Sequence, residues 1–146
     1  LPLLFFQCQK KEEGNAAEGE TAQASNRVSL DCAHCGMPSQ DYPKWQVEAY
    51  FPDIDTKFFC SPKCFFFYQQ KQGIKPDSAL VVDFYSVERI DALSSYYITG
   101  SDVLGPMGKD LIPVGEEGAA KEFAADHGGK RILEFNEVTP EVMEEL

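Results

Sequence analysis

Four cysteines fall in two short-spaced pairs, "CAHC" at Cys32 and Cys35 and "CSPKC" at Cys60 and Cys64. If their thiols serve one centre, the chain between the pairs must leave and return, which makes this spacing the strongest constraint on the fold. The intervening residues can do so. "KWQVEAYF" (44–51) alternates apolar and polar side chains with the period of two that a half-buried strand requires, and "DIDTKFFC" (53–60) follows a Pro-Asp turn signal. Together they predict a hairpin that returns Cys60 toward the first pair. "SPKCFFFYQQKQG" (61–73) then offers Ser61 as an N-cap, Pro62 at the first helical position and Gly73 as a stop, so Cys64 lies one turn into a helix and faces back toward Cys60.

The remaining segments predict a second round of the same kind. Residues 79–91 and 94–103 are rich in Val, Ile and aromatic side chains and read as strands, and "GPMG" (105–108) as a turn-rich loop around Met107. "KDLIPV" (109–114) reads as a short strand whose Pro113 favours its end or a sheet edge. A helix with one apolar face follows over 115–129, then a strand over 130–135 and a short helix from Thr139, with Pro140 at its first position. The expected class is α+β: two successive strand-strand-helix units in one domain over 28–146. The run Phe65, Phe66, Phe67 and Tyr68 covers more than one helix face, and core packing is its expected use.

Composition matters at the N-terminus and at the surface. Residues 1–27 turn at Cys8 from apolar to small, charged and amide-bearing side chains, which cannot bury enough surface to order themselves. They predict a disordered tether behind a signal remnant, with Cys8 the lipid-modified first residue of a bacterial lipoprotein. A formal charge of −11 opposes binding to phosphate backbones, which excludes nucleic acid as a partner. No Gly-rich phosphate loop ends in Lys-Ser/Thr, and Ser39, Ser61 and Ser101 lack the G-x-S-x-G setting of a nucleophile elbow.

Three chemistries fit the cysteines. Four thiolates converging from a knuckle and a helix start would hold a soft metal ion: Zn(II) with thiolates alone, Cu(I) where a thioether is near. Met37 follows the first pair closely, and Met107 sits between Gly-Pro and Gly where there is little core to fill, so both are candidate soft ligands; Met143 is expected to fill core. Two disulfides would suit an exported protein. A thiol-disulfide oxidoreductase would use Cys32 and Cys35, with His34 lowering a thiol pKa, although Gly36 and Pro38 stand where such a motif wants a helix. His34 and His127 are secondary candidates, His127 falling in a helix's last turn.

Taken together, "CAHCGM", "VVDFYSVERIDALSSYYITGSDVLGPMGKDLIPV" and "AAKEFAADHGGKRILEF" resemble the NosL family over about residues 30–142. The resemblance implies a periplasmic, lipid-anchored Cu(I) metallochaperone, not an enzyme. Its implied partners are nitrous oxide reductase, whose copper sites it would help to load, and the membrane machinery of that assembly. Cys32, Cys35 and Met37 fall in the family's first motif and Met107 in its second. Cys60 and Cys64 stand outside both, in "FFCSPKCFFFY", which is similar instead to metal-trafficking segments written F-C-S-x-x-C. Two arrangements follow. Either the four cysteines hold a structural zinc or tight copper while Met107, with Met37, Asp102 or His127, forms a labile site, or one Cu(I) site draws on both halves. A zinc-stapled interaction module is the alternative function.

Overall fold

The computed structural model describes residues 29–146, so Cys8 and the expected tether lie outside the described residues. Strands β1 (Val47–Phe51) and β2 (Asp55–Phe59) form the expected hairpin, in register Val47 to Phe59. Helix α1 (Pro62–Gln72) starts after Ser61, whose buried hydroxyl makes no capping hydrogen bond, with Pro62 in its first turn, and stops at Gly73. Strands β3 (Ser78–Val82) and β4 (Arg89–Asp91) complete an antiparallel sheet in the order β2-β1-β3-β4.

The second unit has strands β5 (Tyr96–Thr99) and β8 (Ile112–Val114), helix α2 (Glu117–His127) and strand β9 (Arg131–Glu134), with sheet order β8-β5-β9. A two-stranded hairpin of β6 (Leu104–Gly105) and β7 (Gly108–Lys109) is inserted between β5 and β8. In both units the first strand is central, the second lies on one side, an 11-residue helix follows, and the next strand pairs on the other side. The expected α+β class and strand-strand-helix units are what the chain forms. The two units share this strand order, although no sequence repeat is legible.

Two expected strands are shorter, for local reasons. The segment 79–91 breaks at Asp83, whose carboxylate accepts the N–H groups of Tyr85, Ser86 and Gly115 at 2.9, 2.8 and 2.8 Å and so fixes a turn between β3 and β4. The segment 94–103 ends at Thr99, where Gly100 and Ser101 turn the chain toward the inserted hairpin. "GPMG" is not a free loop: Leu104 and Gly105 pair with Lys109 and Gly108, leaving Pro106 and Met107 at the tip. Pro113 lies within β8, an edge strand, where a missing N–H is tolerated. Thr139 caps the last helix, α3 (Pro140–Glu144), by accepting the Val142 N–H.

Helix α1 is the packing hinge of the molecule. Phe65 and Phe66 are buried while Phe67 and Tyr68 are half-buried. Phe65 packs on Phe59 of the first sheet, and Phe66 stands edge-on to Tyr97 of the second at 5.0 Å. One large core thus spans both units, and a smaller one of Ile98, Ile112, Val114, Ala120 and Phe123 lies under α2. Among the described residues no helix is long and apolar enough to cross a membrane.

Candidate metal centre

The first cysteine pair is carried on a tight turn. The Cys32 N–H donates to the Met37 carbonyl at 2.7 Å and the Gly36 N–H to the Cys32 carbonyl at 2.8 Å. Gly36 closes the turn at φ +80°, a conformation that carries little cost only without a Cβ. The Ala33 N–H donates to the Phe58 carbonyl at 2.9 Å, which docks the turn onto β2 two residues before Cys60. The direction change at Ser61 and Pro62 then brings Cys64 back beside Cys60, on the first turn of α1.

The consequence is a group of four sulfurs, from Cys32, Cys35, Cys60 and Cys64, all within 4.8 Å of one another. Cys35 Sγ lies 3.5 Å from Cys60 Sγ, and Cys60 Sγ lies 3.6 Å from Cys64 Sγ. Sulfurs around an ion at bond lengths near 2.3 Å stand about 3.8 Å apart in a tetrahedron, so the arrangement fits a four-thiolate ion with little adjustment. All four are free cysteines. Cys32, Cys60 and Cys64 are buried and Cys35 is partly exposed, so the group opens at one corner. Cys32 and Cys35 lie in a turn, without the helix N-terminus that activates a dithiol redox motif.

A fifth sulfur comes from the other unit. Met107, at the tip of the β6–β7 hairpin, places Sδ 3.7 Å from Cys64 Sγ while its side chain stays 47% exposed. The thiols also bias one another's protonation. Hydrogen bonds from Cys60, then from Cys64, draw the Cys32 thiol far down despite burial. The cost appears on the partners: donation to Cys32 holds Cys60 up at about 12 and raises Cys64 further still. Without a cation the group therefore favours one shared thiolate, and a soft cation would supply the charge that lets the others ionise.

The other sequence candidates make different contacts. The His34 ring stacks on Phe67 at 5.6 Å, and Met37 packs, half-buried, against the larger core, which contains Cys32, Cys60 and Cys64. His127 Nδ1 pairs with Asp102 Oδ1 at 2.9 Å and its ring stacks on Phe123 at 4.5 Å, in the apolar cluster under α2. Met107 is thus brought to the cysteines, while Asp102 and His127 are brought to each other.

One residue escaped sequence reasoning. Asp110, 2% exposed, accepts the Lys63 N–H at 2.9 Å and the Leu111 N–H at 2.8 Å through Oδ1, holding the N-terminus of α1 from the opposite unit. Burial pushes its carboxyl up to about 6, and the Leu111 and Lys63 N–H groups pull it only part of the way back. Ser61 Oγ and Asp110 Oδ2 both lack a hydrogen-bond partner. The signal in the sequence was a lone carboxylate at the start of the apolar run "LIPV".

Comparison with known proteins places this architecture. The chain is 29% identical to the copper-binding lipoprotein NosL of Stutzerimonas stutzeri, over 94% of this chain and 75% of that protein. Its fold is similar to the crystal structure of the copper chaperone NosL from Shewanella denitrificans, with a TM-score of 0.68 and 24% identity, covering 76% of this chain and 90% of that one. The family model named NosL matches residues 25–143, nearly all of the folded part, and the chain belongs to the NosL family.

Proposed function

We propose that the protein is a Cu(I) metallochaperone, lipid-anchored through Cys8 on the periplasmic side of a bacterial membrane, that carries the ion toward the copper sites of nitrous oxide reductase. The observation that carries this reading is the Met107 thioether set 3.7 Å from a four-thiol group, half exposed and on a separate hairpin. Thiolate and thioether together select a soft monovalent ion, and its relatives are named for copper binding. The ion is cargo, so release matters as much as retention. Buried Cys32, Cys60 and Cys64 form the retaining side, and Cys35 and Met107 form the accessible side through which an incoming soft ligand would exchange. The chain performs no turnover in this scheme.

A second reading rests on the sulfur spacing itself, which suits a four-thiolate Zn(II) staple in an interaction module. Purification of the protein without oxygen, followed by counts of zinc and copper per chain before and after challenge with a Cu(I) chelator, separates the two. The expected result is one Cu(I) bound per chain, lost at least tenfold faster from Met107→Ala with the fold intact. Zinc alone, with no competitive Cu(I) binding and unfolding on chelation, would replace the chaperone reading by the staple.

A further inference from the structure

Asp83 and Asp110 are both buried and both grip the start of the opposite unit's helical segment, but only one is fully used. Asp83 spends both oxygens on three backbone N–H groups, including that of Gly115 ahead of α2. Asp110 uses only Oδ1, on Lys63 and Leu111. Its Oδ2 has no hydrogen-bond partner and lies under the β6–β7 hairpin, where a Cβ added to Gly105 would sit 2.8 Å from it. A buried carboxylate oxygen without a donor is costly, and exposure to water removes that cost. The hairpin that buries this oxygen is the one that carries Met107 to Cys64.

We propose that Asp110 is a positioning residue for the metal site: Oδ1 fixes the helix that bears Cys64, and the unpaired Oδ2 beneath Gly105 keeps the Met107 hairpin only weakly closed over it. Opening the hairpin hydrates Oδ2 and withdraws the thioether in one movement. Closing it returns the thioether at the expense of the oxygen. Cys64 itself does not move, because Oδ1 stays bonded to the Lys63 N–H in both states. Asp110 thereby tunes how readily the site surrenders its ion, which rests on the chaperone reading above, whereas the motion itself is a property of the metal-free protein.

Two variants push the hairpin in opposite directions. Asp110→Asn keeps an acceptor for Lys63 and removes the buried charge, so the hairpin closes more firmly. Gly105→Ala drives a Cβ against Oδ2 and lifts it. The measurement is relaxation dispersion of carbon-13-labelled methionine methyls in the full metal-free chain, with Met37 and the buried Met143 as internal references. The Met107 exchange contribution is expected to fall at least threefold in Asp110→Asn and to rise at least threefold in Gly105→Ala, with Met143 unchanged. Identical Met107 exchange in parent and variants, or a change of the same sign in both, overturns the proposal. In parallel, Cu(I) transfer to a chelator is expected to slow in the first variant and quicken in the second. Opposite methyl shifts in a protein that retains no Cu(I) would uphold the positioning role and remove the chaperone reading.

Discussion

At Asp83, burial pushes the carboxyl up, but the N–H groups of Ser86, Gly115 and Tyr85 outweigh it and hold the group below the ordinary carboxylate range. At Asp110 burial wins, and the carboxyl stands at about 6 against 3.8 in the open chain. The folded state therefore keeps a proton that the unfolded state has released between these values, and stability falls as pH rises from about 4 to about 6. Above pH 6 the full cost is present, about 3 kcal/mol by the size of the shift. Asp110→Asn should remove it. In urea titrations the variant is expected to be more stable than the parent by about 3 kcal/mol at pH 7 and to match it near pH 3.5; a difference that does not vary with pH would show that the carboxyl titrates normally. Asp83 has the opposite sign, contributing stability that is lost only as pH falls through its lowered pKa.

Among the elements, α2 shows why its end carries two glycines with different duties. Gly128 caps the helix at φ +68° with open space around it, so Gly128→Ala meets only the backbone cost of about 1 kcal/mol. A Cβ on Gly129 would lie 2.5 Å from Ile98 Cγ2 and 2.9 Å from the Ala124 backbone, so Gly129→Ala should cost about 3 kcal/mol and separate α2 from β5. Thermal unfolding of the two variants checks the ranking, and equal losses would refute it. Both α-helices of eleven residues were legible because their ends are written locally, in Pro62 at the start of α1 and in Gly73 and Gly128 just past the two C-termini. The break at Asp83 was not, because the apolar pattern of 79–91 runs on while the carboxylate turns the backbone. The cysteine pairs announced themselves through spacing within one turn and one helix start. The approach of Met107 to Cys64 did not, since it depends on how two sheets pack and spans 43 positions.

At the scale of the molecule, the two units share a topology but divide their duties: the first brings the thiols, the second a thioether and the aspartate beneath it. All four thiols lie within residues 32–64, gathered by a turn, a hairpin and a helix start, whereas Met107 arrives only when the second sheet has closed on α1. Short loops close at lower entropic cost than long ones, so the thiols should gather first on refolding. Pulsed alkylation of the thiols against methionine oxidation is expected to show the cysteines reaching native protection before Met107; simultaneous protection would argue for one concerted step. The separation of the sulfurs along the chain thus sets a chronology. An ion met early would be seized by the thiols alone, and the thioether would be added last, to an ion already held.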